Sequence, residues 1–487
     1  MTFDFCITGA SIVDGSGRPA FVGDVGVKDG KIAAVGELAH ASAVERIDGR
    51  GRVVAPGFID VHTHDDRALL MPGAMTAKLS QGVTTVVTGN CGLSLAPARP
   101  GTAIPPPLDL IATPEWLRFP AFGDYLRALD ASGTAVNAVC LVGHLTLRAS
   151  VMDNLERPAT PAECDAMQRL LADALEAGAW GMSTGTFYPP ARLATTDEIV
   201  AVGEPLRAHG ALYATHMRNE AEKIIDALDE TFEIGRRLGV RVLISHHKLA
   251  GIANHGRSAE TLKHIAAAMQ TQPVSLDCYP YNASSTVLRP EFVARAAAVM
   301  VSWSTPHPEH AGRLLADIAR EMGCDDEQAA ARLAPAGAVY FMMDEADVRR
   351  ILAFPKAMIG SDGMPHDEHP HPRLWGTFPR VLGHYSREER LFPLVTAIHK
   401  MSGLTADELG IAERGHIAVG QAADLVLFDP DTVGDRATFA KPATLSAGIE
   451  SVWVNGRLAF AKGEVRDDRA GRVLTRTPRT PSQAVQA

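Results

Sequence analysis

The chain predicts an α/β protein: a (β/α)8 TIM-like barrel, a small β-sandwich domain formed by both termini, and an insertion over the barrel mouth. Three observations predict it. Eight β-prone runs recur through the middle of the chain, many followed by stretches with apolar residues at helical spacing. Short strand-and-turn segments occur at both ends. An apolar run containing Val53, Val54, Phe58, Ile59 and Val61 ends abruptly in His62-Thr63-His64. Residues i and i+2 of a strand face the same side, so both imidazoles can address one point.

Size and composition agree with this architecture. The 487 residues accommodate one large domain with a smaller companion. Lys+Arg 47 against Asp+Glu 57 give a formal net charge of -10, and no Lys/Arg block appears, which argues against a nucleic-acid partner. The six cysteines follow no disulfide or CxxC spacing, as expected in a reducing compartment. The N-terminus MTFDFCITGA lacks the pattern of a secretory signal, and no run of about 18 apolar residues suggests a membrane span. The expectation is a cytoplasmic protein acting on a small molecule; a monomer is the simplest state, and oligomerisation is left open.

Residues 3–55 alternate β-prone runs (Phe5–Thr8, Ser11–Val13, Asp24–Val27, Lys31–Val35, Val53–Ala55) with turns at Asp14-Gly15 and Asp29-Gly30. Gln421–Asp429 and Ile449–Gly456 share that grammar. Residues 1–56 therefore pair with 415–475 as one small β domain. The barrel occupies 57–414. Its strands are predicted at Phe58–His62, Thr84–Thr88, Asn137–Val142, Ala179–Ser183, Leu212–His216, Val242–His246, Val274–Tyr279 and Ala357–Ser361. Helices are expected at Pro161–Ala177, Glu220–Leu238 and Ala259–Met269. Residues 281–356 form the insertion, with extra helices including Glu309–Met322, placed where it could act as a lid. Residues 92–123 are Pro-rich and predict a long ordered loop. Residues 476–487 read as a loosely held C-terminal tail.

Functional side chains of such barrels gather at the C-terminal strand ends. His62 and His64 close the first strand, Cys91 follows the second in VVTGNCG, and His216 ends the fifth in YATHM. His246 and His247 end the sixth in LISHHK, and Asp362 closes the eighth in MIGSDG. A Cys91 thiolate with His216 and His246 makes a zinc set with one place left for water. His62, His64 and Asp362 form a second, weaker position, with Cys91 as a shared ligand. Neighbouring strand residues face opposite ways, and the alternation alone does not decide between His246 and His247.

The motifs PGFIDVHTHDD, GNCG, ATHMRNE, SHHK and IGSDGMPH together resemble the amidohydrolase superfamily, and more narrowly its N-acyl-D-amino acid deacylases, or D-aminoacylases. SQGVTTVVTGNCGLSLAP, STGTFYPP and HPRLWGTFPRVLGHY extend the similarity over nearly all of residues 3–475. GNCG, in place of the carboxylated lysine of many relatives, is the most specific element. The resemblance selects His246 over His247 and implies a zinc on Cys91, His216 and His246, with a second site shaped by His62, His64 and Asp362. It implies hydrolysis of N-acyl-D-amino acids to a D-amino acid and a carboxylate, and the D preference rests on it alone.

Amide hydrolysis needs an activated water, a polarised carbonyl and a proton for the departing amine. Zinc serves the first two. Asp362, the only carboxylate among the candidate ligands, is the expected general base and acid. The resemblance assigns the substrate α-carboxylate to Lys248, Tyr279 and Arg373, found here in SHHK, DCYPY and HPRLW, and Arg373 offers a bidentate fork. Ser285 is a further hydrogen-bonding candidate. His144 is expected to act behind the ligands or structurally, and Asp65 to orient His64 through its other ring nitrogen. The loops favour broad use of apolar side chains. A deacylase restricted to D-glutamate or D-aspartate would need another cation, for which Arg289 is the candidate. A hydantoinase-like cyclic amidohydrolase and a non-catalytic metal-binding barrel are the remaining alternatives.

Overall fold

The computed structural model describes residues 2–99, 101 and 104–476. Apart from Arg476, the expected C-terminal tail lies outside them. The barrel strands are Phe58–Asp60, Val83–Thr88, Asn137–Cys140 continued in Val142–Gly143, Gly181–Gly185, Leu212–His216, Arg241–Ile244, Val274–Cys278 and Ala357–Ile359. Every pairing along this series is parallel. The ring closes between its last and first strands, where Val61 N reaches Ile359 O at 3.4 Å and Asp362 N donates to His62 O at 2.8 Å.

The strands read as nearly continuous apolar runs because both faces are covered. One phase of the alternation (Ile59, Val61, Val87, Val139, Leu243, Met358) shares an interior cluster. The other phase (Phe58, Val86, Ala138, Val242, Ile244) packs in the main core. Pro161–Glu176 shows how local sequence sets an outer helix. Thr160 Oγ1 accepts from Glu163 N while Glu163 Oε2 accepts from Thr160 N at 2.8 Å, a closed capping box with Pro161 in the first turn.

Both termini build a second, nine-stranded mixed sheet. Val53–Pro56 sits between the N-terminal strand Thr2–Ile12 and the C-terminal strand Leu425–Phe428. The sheet wraps a core of its own that includes Phe5, Ile7, Ile12, Val54, Leu425 and Trp453. This is the β-sandwich beside the barrel.

The insertion departs from expectation. It contains a three-stranded antiparallel sheet with Ala336–Phe341 between Ala283–Val287 and Ala298–Ser304, and not helices alone. Val301 of an edge strand and Tyr340 of the central strand pack on Leu315, Ile318, Ala329 and Leu333 of two short helices. The helix expected at Glu309–Met322 is broken: a single turn at Pro308–His310 precedes Gly312 at φ +80°, and the helix begins at Leu315. The helix expected from Glu220 begins instead at Ile224. The Pro-rich stretch carries single turns at Leu108–Leu110 and Pro114–Trp116, and Leu108 and Leu110 of the first are buried in the main core. No helix among the described residues is long and apolar enough to cross a membrane.

Candidate metal centre and substrate pocket

The strand ends bring six side chains together. Cys91 Sγ lies 3.3 Å from His62 Nε2 and 3.4 Å from His246 Nε2, and His246 Nε2 lies 3.1 Å from His216 Nδ1. Asp362 Oδ1 is 3.2 Å from His64 Nε2 and 3.6 Å from His62 Nε2. His246 turns into this cluster. His247 turns away to Thr261 Oγ1 at 2.9 Å, where burial pushes its imidazole down to about 4.

The backbone is bent to present these groups. Cys91, His246 and Asp362 all have positive φ, at 56°, 36° and 50°. For non-glycine residues this costs of order 1–3 kcal/mol each and occurs where surrounding structure over-determines the conformation. In the GNCG turn, Gly89 is required at φ +77°, because a Cβ there would come within 2.0 Å of Leu141 O. Asn90 Nδ2 pins the same turn by donating to Val87 O at 2.9 Å.

Metal binding fits this donor set. Bonds of about 2.0–2.3 Å in tetrahedral geometry separate neighbouring ligand atoms by roughly 3.3–3.6 Å. The thiol and imidazole atoms of Cys91, His216 and His246 stand near those spacings. His62, His64 and Cys91 make a second group, and His62, His246 and Asp362 a third, each with donor atoms within 4.8 Å of one another. Burial opposes ionisation of Cys91, but His62 and His246 hold the thiol well below its ordinary range. Burial also opposes the Asp362 carboxylate, and Arg373, His246 and the other imidazoles hold it down as well. His64 is driven the other way, to about 9, as Asp362 and Cys91 outweigh burial. Both shifts favour the thiolate and the carboxylate, the forms that bind a metal.

His307, Glu309 and His310 form a further group on the insertion surface. There Arg313 Nη1 sits 3.2 Å from His310 Nδ1, a fixed cation that opposes a second one.

The residues assigned to the substrate carboxylate surround the cluster. Arg373 is fully buried, lies over the Tyr279 ring at 4.6 Å, and pairs with Asp362 Oδ2 at 2.9 Å. Its Nη2 donates to Ser285 O at 3.2 Å, fixing the guanidinium against the insertion. Lys248 is 2.7 Å from Glu220 Oε1. The hydroxyls of Tyr279 and Ser285 are buried without a hydrogen-bond partner, and both residues line a pocket beside the cluster. Phe187, Phe292, Tyr340 and Met342 give this pocket an apolar wall. Arg289 is not on that wall; it pairs with Glu291. Arg295 is the arginine that lines the pocket.

One expectation changes. Asp65 faces Lys78 Nζ at 3.3 Å and does not orient His64; the buried lysine is the stronger attraction and also holds Asp60 at 2.7 Å. The carboxylate behind His62 is Asp277, whose Oδ2 lies 3.5 Å from His62 Nδ1 and whose Oδ1 accepts from His246 N. His144 sits at a helix start 3.4 Å from Glu198, a carboxylate also paired with Arg148. Glu220 was missed altogether. It is buried between His216, His246 and Lys248, and its only sequence signal is its position four residues after His216.

The family model described as "Amidohydrolase family" matches residues 45–460. The chain belongs to the amidohydrolase family. Within it, the chain is 56% identical over 475 residues to a D-aminoacylase of Alcaligenes xylosoxydans xylosoxydans, covering 98% of each chain. It is 55% identical over 472 residues to an N-acyl-D-aspartate deacylase of the same organism, covering 97% of this chain and 95% of that one. The crystal structure of an N-acyl-D-glutamate deacylase from Bordetella bronchiseptica, complexed with zinc and a phosphonate inhibitor, superposes with a TM-score of 0.94. It is 47% identical, with 98% of this chain and 100% of that chain covered. This amidohydrolase therefore shares both the fold and its full extent with deacylases of N-acyl-D-amino acids.

Proposed function

We propose that this amidohydrolase hydrolyses N-acyl-D-amino acids to a D-amino acid and a carboxylate, using zinc held by Cys91, His216 and His246. A second, weaker position is formed by His62, His64 and Asp362. The observation that carries the reading is the juxtaposition of this donor set with a buried carboxylate, Asp362, and a fixed guanidinium, Arg373, 2.9 Å away. Zinc, when bound, supplies a Lewis acid for the scissile carbonyl and lowers the pKa of water to about 7.

The chain's own groups do the rest. Asp362 takes the proton of the attacking water and returns it to the amine nitrogen as the amide breaks. Arg373 and Lys248 receive the α-carboxylate, and the unpartnered Tyr279 hydroxyl donates to it. In the free protein these cations rest on Asp362 and Glu220, so they are already placed, and the substrate carboxylate shares them with those partners. The apolar wall of Phe187, Phe292, Tyr340 and Met342 takes the side chain and keeps water from the reacting amide.

That wall supports broad use of apolar D-amino acids. Arg295 supports a second reading, an acidic side chain, because it is the cation on the pocket lining with no acidic partner among the described ion pairs. Assays with N-acetyl-D-leucine, N-acetyl-L-leucine, N-acetyl-D-aspartate, N-acetyl-D-glutamate and hydantoin, each with and without a chelator, test the reading. Hydrolysis of D-leucine derivatives alone or foremost supports it. Turnover confined to the acidic pair selects the second reading, and turnover of hydantoin or of all substrates in chelator refutes both.

A further inference from the structure

Each imidazole of the Cys91 set has two ring nitrogens, and only a nitrogen without its proton can bind a cation. His246 directs Nε2 and His216 directs Nδ1 into the cluster. Their opposite edges meet one buried carboxylate. Glu220 Oε1 lies 3.1 Å from His246 Nδ1, and Glu220 Oε2 lies 3.5 Å from His216 Nε2. A carboxylate accepts only, so its charge favours the ring proton on the outer nitrogen and leaves the inner one free; at His216, whose Nε2 makes no hydrogen bond, that pull acts across 3.5 Å through the charge alone.

A competitor stands beside it. Lys248 Nζ is 2.8 Å from His246 Nδ1. An ammonium donates only, and would claim the Nδ1 lone pair, sending the ring proton to Nε2 where it faces Cys91. Glu220 sits between these outcomes: it holds Lys248 Nζ at 2.7 Å with the same oxygen that faces His246. Its backbone is tied as well, since Ala250 N donates to Glu220 O at 2.7 Å across the start of the following loop.

We infer that Glu220 is a positioning residue that sets the ring-proton placement of both histidine ligands against the pull of Lys248. It thereby makes the Cys91–His216–His246 set competent to bind zinc. Nothing else in the described contacts of these two outer nitrogens can accept a proton. The inference rests on the zinc reading above and deepens it.

The test is zinc affinity, measured by competition between the holoprotein and a chromophoric chelator, for the wild type, Glu220→Gln, Glu220→Ala and Glu220→Ala/Lys248→Met. Loss of such supporting groups typically weakens metal binding 10–100-fold. Glu220→Gln, which keeps an acceptor without the charge, should fall at the low end of that range, and Glu220→Ala at the high end. Removing Lys248 as well should recover part of the loss, which a merely structural role for Glu220 would not do. Cobalt substitution gives a second readout: the thiolate-to-metal absorption of Cys91 should persist in Glu220→Gln, at higher cobalt concentration. Wild-type affinity in Glu220→Ala overturns the inference, as does an equal loss in the single and double variants. If Glu220→Ala fails to fold, unchanged affinity in Glu220→Gln together with Lys248→Met overturns it equally. Failure of the wild type to bind zinc at all would instead refute the underlying zinc reading.

Discussion

Arg373 carries the sharpest prediction, because its contacts allow the size of the effect to be worked out. In the free protein its guanidinium holds Asp362 at 2.9 Å and Ser285 O at 3.2 Å, with Tyr279 beneath it. A substrate α-carboxylate engaging the fork gains two charge-assisted hydrogen bonds of about 1.5–3 kcal/mol each. Part of this is offset, since Asp362 must share the same group. The net loss in Arg373→Ala is then about 3 kcal/mol, and at about 1.36 kcal/mol per decade this is roughly a 100-fold drop in kcat/KM. The assay compares N-acetyl-D-leucine with N-acetyl-D-leucinamide, which lacks the carboxylate. Wild type should prefer the acid strongly; Arg373→Ala should lose most of that preference, and Arg373→Lys should keep some of it while sparing the fold. If the acid-to-amide ratio of kcat/KM is the same in wild type and Arg373→Ala, the clamp is refuted, however much overall activity has dropped.

Asp362→Ala should retain zinc on the Cys91 set yet lose about 10²–10⁴ in kcat, the range for a proton-transfer group; metal content and turnover measured on one sample decide it. Chelation should abolish turnover, and about one equivalent of zinc should restore it, with Cys91→Ala unable to recover; titration of activity against added zinc checks both. Asp109 tests burial in the Pro-rich stretch. Burial pushes its carboxyl up to about 6, whereas the unfolded chain loses the proton near 3.8. Between those values the folded form holds the extra proton, so this group's contribution to stability falls as pH rises from about 4 to 6. Asp109→Asn should therefore be more stable than wild type at pH 7.5, by up to about 3 kcal/mol, and equal to it near pH 4; paired denaturant melts at the two pH values measure this.

Much of the barrel is readable along the chain because its strands are buried on both faces and end in polar residues at one rim. The fifth strand, Leu212–His216, coincides with its predicted bounds. The cluster at the rim follows from the same fact, since His62, Cys91, His216, His246 and Asp362 each terminate or follow a strand. The insertion was less legible. ARAAAVM has helical composition, and only pairing with Ala336–Phe341 makes Ala298–Ser304 a strand. Charged groups that act through tertiary neighbours leave no spacing to detect. Lys78, buried against Asp60, Asp65 and Ser361, redirects Asp65 in a way no local pattern encodes. Glu220 lies in a loop where neither helical nor strand periodicity marks a direction for its side chain.

The insertion is stitched to the segment that leads into Arg373. Ser285 O receives the guanidinium, Ala283 O lies 3.1 Å from His371 Nε2, and His369 N donates to Ser302 O at 3.0 Å. Insertion and arginine consequently form one exchangeable cassette. A chimera that grafts residues 281–356 from another deacylase onto this barrel must bring residues 369–373 with it, or the carbonyls of residues 283, 285 and 302 will meet unmatched partners.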